Sequence, residues 1–214
     1  PLTRRPDVIG FNDIFNQLSL LKLAVYAPVG YILPSRIQKY EDMYDTEVAS
    51  GGGKLKQADR EQSLQALMTV NLLKRLESSV ASFRLTLQSL QSNHQKALDK
   101  ISAFKKSGKS VTFTDQASVF EDADFDDESL PDFDDPGVNS TGGKVKIDLG
   151  DMDLPSWEYD LSADLGVIEG LLAEMAKITP ADDAKLQHLK AHIEQKLANP
   201  INPGNRKLLI FTAF

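Results

Sequence analysis

Residues 59–104 read DREQSLQALMTVNLLKRLESSVASFRLTLQSLQSNHQKALDKISAF, and this stretch decides the fold of the chain. Neither Gly nor Pro interrupts it, and Asp59 and Gln62 have the spacing of a capping box at a helix start. Apolar residues, with one histidine among them, then recur in steps of three and four, which is typical of a helix lying along another helix. These positions are Leu73, Leu76, Val80, Phe83, Leu87, Leu90, His94, Ala97, Ile101 and Phe104. We predict one continuous helix from about Asp59 to about Phe104, about 70 Å long, with Phe83, Leu87 and Leu90 buried.

A later stretch supplies the partner for this helix. Its apolar residues also step by four and three: Leu161, Leu165, Ile168, Leu172 and Met175. A helix starting near Leu161 is the natural antiparallel neighbour. Because the long helix exceeds the width of a compact domain of this size, we expect it to project. The predicted fold class is mainly α: long antiparallel helices that form a projecting bundle or coiled-coil-like hairpin, with a long acidic loop and a terminal β-strand cut from an α/β lobe.

Changes of composition divide the chain into five segments. In the first, an amphipathic pattern with apolar residues from Phe11 to Val25 predicts a helix that ends before Pro28. Ser35 can cap a second, short helix with Ile37, Tyr40 and Tyr44 on one face. In the last, residues 207–212 have the composition of a short buried strand of a parallel sheet. The segments are a helical lead-in (1–50), the long helix (51–108), an acidic and largely irregular insert (109–155), two returning helices (156–200) and the terminal segment (201–214).

The composition excludes several classes of protein. The 214 residues contain no Cys, which rules out disulfides, thiolate metal sites and a cysteine nucleophile, and favours the reducing cytoplasm. No apolar run is long enough to span a membrane, so we expect no membrane partner. The net charge of −7 comes from one place: residues 121–135 carry nine acids and no base, and the remaining residues carry 24 bases against 22 acids. Acidity therefore does not exclude nucleic acid as a partner.

Few residues have the spacing of a chemical site. Residues 50–54, Ser-Gly-Gly-Gly-Lys, lack the spaced pattern of a phosphate-binding loop and are expected to form a linker. His188 and His192 lie four residues apart, a spacing that can hold a metal, but no third ligand is near and two solvated histidines are the expectation. The acidic run lacks the calcium-loop frame. We therefore predict no catalytic residue, no metal and no cofactor bound by this chain itself.

The segment Lys74-Arg75-Leu76-Glu77-Ser78-Ser79 stands out. Charged residues flank a seam leucine, and two consecutive serines lie inside a predicted helix that would favour alanine. On the residues alone, pairing of Lys74 with Glu77 on a solvated face accounts for the charges.

This segment also carries a resemblance to a known family. Residues 72–87, LLKRLESSVASFRLTL, resemble the region between the two motor lobes of bacterial Swi/Snf-related superfamily-two helicases of the DEAD/DEAH type. Three further stretches agree in order. They are Thr3-Arg4-Arg5-Pro6, which is similar to the arginine pair leaving the first lobe; residues 24–34, similar to the helical lead-in; and residues 205–214, NRKLLIFTAF, similar to the first strand of the second RecA-like lobe.

The resemblance implies that the chain is the interlobe helical region of an ATP-dependent DNA helicase or translocase. ATP and Mg²⁺ would belong to the parent protein, because this chain has no Walker A lysine, no DEAD/DEAH carboxylates and no arginine finger, and is expected to be inert alone. The implied partners are duplex nucleic acid, expected to be DNA, and the flanking lobes. The implied nucleic-acid contacts are Arg4, Arg5, Lys74, Arg75 and Arg84, and the family-motif residues are Lys74, Arg75, Leu76, Glu77, Ser78, Ser79, Leu209, Ile210 and Phe211.

An alternative stays open on the residues alone. The chain can instead be a free-standing helical interaction module whose acidic loop, residues 121–135, binds a basic partner.

Overall fold

The chain folds around a pair of long helices, as described by a computed structural model for residues 5–47, 54–107, 112–114 and 146–211. The mainly α fold class is confirmed. Among these residues, six α-helices and two antiparallel two-stranded sheets follow one another. They are α1 (Phe11–Leu18), α2 (Ile37–Tyr44), β1 (Thr46–Glu47) paired with β2 (Lys54–Leu55), α3 (Gln57–Ser78), α4 (Val80–Ser107), β3 (Thr112–Thr114) paired with β4 (Lys146–Asp148), α5 (Leu154–Ala176) and α6 (Ala184–Ala198).

Helices α4 and α5 run antiparallel, as predicted. The start of α4 meets the end of α5, where Arg84 donates to the Ile178 carbonyl. The end of α4 meets the start of α5, where Lys105 pairs with Glu158. Phe83, Leu87 and Leu90 are fully buried along this seam, and so are most of the other predicted seam positions.

The prediction of one continuous helix is wrong, because Ser79 separates α3 from α4. Its backbone is extended, with φ −157° and ψ 132°. Its N–H still donates to the Arg75 carbonyl at 2.8 Å, which closes α3, and its own carbonyl accepts from Phe83 N at 3.0 Å, which opens α4. The heptad pattern continues through the break because Leu76 and Val80 on either side are both buried.

Helix α3 folds back beside α4 and does not extend it. Gln65 of α3 donates through Nε2 to the Lys22 carbonyl at 2.6 Å, while His94 of α4 lies 3.3 Å from Asp164, whose carboxylate accepts from Lys22 N. A straight helix would hold Gln65 and His94 roughly 43 Å apart. Since Gln65 contacts Lys22, and His94 contacts the carboxylate that is bonded to Lys22 N, the two helices form a V with its apex at Ser79. The expected projecting helix of about 70 Å does not form.

The segment that follows α1 lies across α3, α4 and α5. Helix α1 ends at Leu18, so the predicted helix up to Val25 is wrong. Leu23 adopts a left-handed conformation, φ 51°, and residues 24–31 form two short 3₁₀ turns. Trp157 of α5 donates from its indole N–H to the Ala24 carbonyl at 2.9 Å. Tyr26, fully buried, accepts from Asn93 of α4 at 3.0 Å.

Helix α5 begins at Leu154, seven residues before the predicted start. Asp153 caps it, accepting from Ser156 N, and proline occupies the first turn. The buried face is also rotated relative to the predicted one. Leu165 and Leu172 are half-buried, whereas Asp164 and Leu171 take the inner positions.

The segment 109–155, predicted to be largely irregular, has regular structure in its described residues. Strands β3 and β4 pair antiparallel, and Phe113 packs edge-on against Trp157 with ring centroids 4.8 Å apart. Lys100 of α4 lies over the same Phe113 ring. The alternating pattern of residues 144–149 predicts a short strand, and Lys146–Asp148 within it form β4. The acidic run 121–135 lies outside the described residues.

The C-terminal part of the chain differs from the prediction. Helix α6 is present, capped by Asp183, but none of its residues is buried. The predicted strand at 207–212 is wrong for its described residues, 207–211, which form no strand. Leu209 is 84% and Phe211 90% exposed. A strand needs a neighbour to accept its backbone hydrogen bonds, and the described part of the chain supplies none here.

Truncation of a seam residue tests the α4–α5 pairing. We expect Phe83→Ala to lower the free energy of unfolding by roughly 3–5 kcal/mol, because the side chain is fully buried and leaves a cavity. The matched control is Leu85→Ala on the same helix, 65% exposed, which should cost little. Urea unfolding of the three proteins gives the values; a loss below about 1 kcal/mol for Phe83→Ala contradicts the seam.

A second prediction concerns Asp151, which joins α2 to the turn before α5. The hydrogen bond from Lys39 Nζ, 2.7 Å away, holds the pKa of Asp151 below its usual range against the opposing effect of burial, with help from Tyr40 and Arg36. Because the pKa of Asp151 is lower in the folded chain than in the unfolded chain, its ionised carboxylate stabilises the fold at pH values above the unfolded pKa of about 4. This stabilisation is lost as the pH falls through the folded pKa.

Asp151→Asn should therefore be less stable than the parent chain at pH 7, and the difference should shrink as the pH falls below about 4. Asp99→Asn, at an exposed site on α4, is the control and should show little difference across the same range. Urea unfolding at several pH values makes the measurement; a difference that does not depend on pH contradicts the assignment.

Candidate functional site

The segment that carries the family resemblance straddles the apex of the V. Lys74 to Ser78 form the last turns of α3, and Ser79 is the N-cap of α4, with its Oγ 3.4 Å from Ser82 N. The two serines that seemed out of place inside a helix are therefore the end of one helix and the cap of the next. That is the signal in the sequence that could have revealed the break.

Several helix ends meet at this apex. Arg75 at the end of α3 donates to Ser82 Oγ in the first turn of α4 at 3.3 Å. Lys185 in the first turn of α6 donates to the Glu77 carbonyl. The residues that follow α5 also reach the apex, because Arg84 of α4 donates to the Ile178 carbonyl. We call this region, residues 74–84 with 177–178 and 185, the apex.

Two of the predicted nucleic-acid contacts converge on the end of α5. Arg5 Nη1 donates to the Lys177 carbonyl at 2.8 Å, and Arg84 Nη2 donates to the Ile178 carbonyl at 3.1 Å. Cations are favoured there because the C-terminal end of a helix carries partial negative charge. These two arginines therefore have structural partners, in addition to any role at a surface.

The charges of the two arginines are compensated differently. The hydrogen bond and charge of Asp7, 2.5 Å from Nη2, raise the pKa of Arg5, and Asp182 lies 3.7 Å away. Arg84 has no such carboxylate within ion-pair distance among the described residues, and its Nε is buried without a hydrogen-bond partner. Within the described ranges, Arg84 thus brings to the apex a positive charge that no carboxylate pairs with.

The remaining predicted site residues lie in two places. Lys74 and Arg75 are half-buried at the apex, close in sequence to Arg84. Leu209, Ile210 and Phe211 are exposed beyond α6, and the structure does not bring them into the apex. Arg4 lies outside the described residues.

A buried polar network went undetected in the sequence. Asp164, 1% exposed, accepts from Lys22 N at 2.7 Å and Ala24 N at 2.8 Å, the two amides that flank the left-handed Leu23. His94 Nδ1 lies 2.8 Å from the Leu90 carbonyl and must donate to it, since a carbonyl only accepts. Its Nε2 then faces the Asp164 carboxylate at 3.3 Å. The one signal of this network in the sequence was His94, the single polar residue among the predicted seam positions.

A groove of about 640 Å³ opens between α3 and the segment 21–31. Two carboxylates line it, and each already has partners. Asp160 accepts from Lys22 Nζ at 2.9 Å and from Tyr31 OH at 2.8 Å. Glu61 accepts from Val29 N at 3.0 Å. These groups explain how the segment is held on the helices, and they present no set of converging unpaired groups.

The hydrogen bonds and burial around Asp160 shift the pKa of Asp160 and the pKa of Tyr31. Burial raises the pKa of Asp160, but the hydrogen bonds from Lys22 and Tyr31 outweigh it and leave the pKa below its usual range. Burial raises the pKa of Tyr31 far above its usual range, and the Asp160 carboxylate adds to the effect. Tyr31 therefore acts as a hydrogen-bond donor at physiological pH.

The two histidines of α6 come together. Their Nε2 atoms lie 3.0 Å apart, and both side chains are exposed. Within the described ranges, no three His, Asp or Glu side chains gather into a metal-binding group. In the same part of the chain, no helix has the length and apolar character needed to cross a membrane.

Comparison with known proteins finds no counterpart. No family model, no curated protein and no solved structure matches the chain.

Removal of the cap at the apex has a predictable cost. Ser79→Ala removes the side-chain acceptor for Ser82 N and should lower the free energy of unfolding by about 1 kcal/mol. The same substitution at Ser102, exposed in the body of α4, should be neutral or slightly stabilising because alanine favours helix. Urea unfolding compares the two. Equal effects of Ser79→Ala and Ser102→Ala would mean that Ser79 does not cap α4.

Proposed function

We propose that this chain is the interlobe helical region of an ATP-dependent DNA helicase or translocase, and that it couples motor movement to the duplex. ATP and Mg²⁺ act in the parent protein. The observation that carries the proposal is the position of the resembling segment: residues 74–83 lie at the apex, where the ends of α3, α4, α5 and α6 meet.

Such an apex suits a coupling element. A displacement applied at one helix end reaches the others through short contacts, since Arg75 bridges α3 to α4 and Arg84 bridges α4 to the end of α5. The antiparallel α4–α5 pair is closely packed and acts as a stiff lever. The cations Lys74, Arg75 and Arg84 give this end positive charge for phosphate contacts.

The exposed residues after α6 also support the proposal. Leu209, Ile210 and Phe211 place three large apolar side chains in solvent. Side chains of this kind gain free energy when another surface covers them. In the proposed parent that surface is the second RecA-like lobe, to which the stretch 205–214 has its resemblance.

Duplex DNA binding tests the proposal. We expect weak, salt-sensitive binding without sequence preference, measured by fluorescence anisotropy at two salt concentrations. Lys74→Ala with Arg75→Ala should weaken binding and lower the salt slope by about 1 for each phosphate that the variant no longer neutralises. The control is Lys105→Ala with Lys106→Ala at the other end of α4, which changes net charge equally. Equal weakening in the two double variants contradicts an interface at the apex.

The acidic run gives a second arm of the same experiment. Residues 121–135 compete for the same cations through charge, so replacing residues 118–140 with a short neutral linker should strengthen binding. If neither form binds at low salt, the cations are ordinary surface charge and the DNA proposal fails.

That outcome would favour the second candidate, a helical protein-interaction module. One observation speaks for it directly: α6 carries an apolar stripe with no buried member, made of Leu186, Leu189, Ile193 and Leu197. In this candidate the acidic run contributes by binding a basic partner.

A further inference from the structure

The geometry of the histidine pair on α6 is specific. His188 and His192 lie one helical turn apart, so their side chains share a face. Their Nε2 atoms are 3.0 Å apart, with ring centroids separated by 4.4 Å and ring planes at 89°. Both rings are exposed and could turn into solvent, yet the Nε2 atoms of the two rings face each other.

Two imidazole nitrogens this close must share something. They can share a single proton, as in a hydrogen bond, or a metal ion bound by both lone pairs. A metal sits about 2.0–2.1 Å from each imidazole nitrogen. A nitrogen separation of 3.0 Å then corresponds to an angle of about 91–97° at the metal. That is the angle between neighbouring ligands in square-planar or octahedral coordination, whereas tetrahedral coordination needs a separation of about 3.3 Å.

We propose that His188 and His192 form a two-histidine site for a late first-row divalent ion, Ni²⁺ or Cu²⁺, with water or a partner's ligand in the other positions. These ions combine the required angle with high affinity for imidazole. Mg²⁺ and Ca²⁺ prefer oxygen ligands, which the pair does not offer. Lys185 and Lys196 flank the histidines on the helix, and their charge further disfavours a weakly bound hard cation.

The site would act on α6 itself. Since no residue of α6 is buried, the helix receives little support from packing, and a helix of 15 residues is marginal alone in water. A metal held across one turn fixes that turn as helix. Metal affinity and helix stability are then linked, and metal would set how firmly the exposed apolar stripe of α6 is presented.

Nickel titration of the whole chain tests the site. The matched control is His192→Gln with Gln195→His, which keeps two exposed histidines on α6 but places them seven residues apart, about 10 Å along the helix. His188→Gln is the simple loss variant. We expect the parent chain to bind Ni²⁺ at least tenfold more tightly than either variant, with a rise in far-UV helical signal only in the parent. Equal affinities overturn the proposal and leave the contact as a hydrogen bond.

A second measurement shows whether the metal binds at α6 or at another part of the chain. Sub-stoichiometric Cu²⁺ should broaden the amide NMR signals of residues 186–194 first, because paramagnetic broadening is local. Broadening that starts elsewhere, for example in the acidic run, overturns the assignment to α6. Neither readout depends on DNA binding, so the metal site and the proposed function can fail independently.

Discussion

The carboxylate of Asp164 joins three parts of the chain: α5, α4 and the segment that follows α1. It projects inward from α5, accepts the amides of Lys22 and Ala24, and faces His94 of α4. A buried carboxylate is costly unless hydrogen bonds satisfy it, and here they come from amides held in a concave turn. That turn exists because Leu23 is left-handed, a conformation that costs a non-glycine residue about 1–2 kcal/mol. The charge-assisted hydrogen bonds offset this cost.

The V-shape of α3 and α4 follows from the same contacts. Once Lys22 is fixed on α5, its carbonyl is available to Gln65, and the inner residues of α3, among them Met68 and Leu72, are buried in the common core. A continuous helix would carry α3 away from that core and leave its apolar side chains in water. Tertiary burial therefore outweighs the single hydrogen-bonded turn that the break at Ser79 gives up, and the Ser79 cap restores part of the loss.

Local spacing determines some features of this fold, and tertiary contacts determine the others. Periodicity predicts which face of α4 is buried and that α5 lies antiparallel, because both depend on local spacing alone. It could not detect the break, since Leu76 and Val80 are buried whether the helix is straight or bent. The serines at the break were the local signal, outweighed by the long apolar pattern. The strand expected at 207–212 failed because a strand depends on neighbours, which composition cannot supply. At the candidate site, the spacing of His188 and His192 predicts a shared helix face, whereas the 3.0 Å between their nitrogens depends on side-chain conformations that spacing does not determine.

Buried polar atoms without a hydrogen-bond partner and exposed apolar side chains are unevenly distributed over the described residues. The α4–α5 body satisfies its buried polar groups internally, with Arg84 Nε as the exception among the buried side-chain atoms of the described residues. That exception lies at the apex. Helix α6, which leaves its apolar stripe uncovered, starts at the apex as well, through Lys185 and Glu77. Among the described residues, Arg84, which pairs with no carboxylate, and the start of the exposed apolar stripe of α6 thus lie at the same end of the α4–α5 pair.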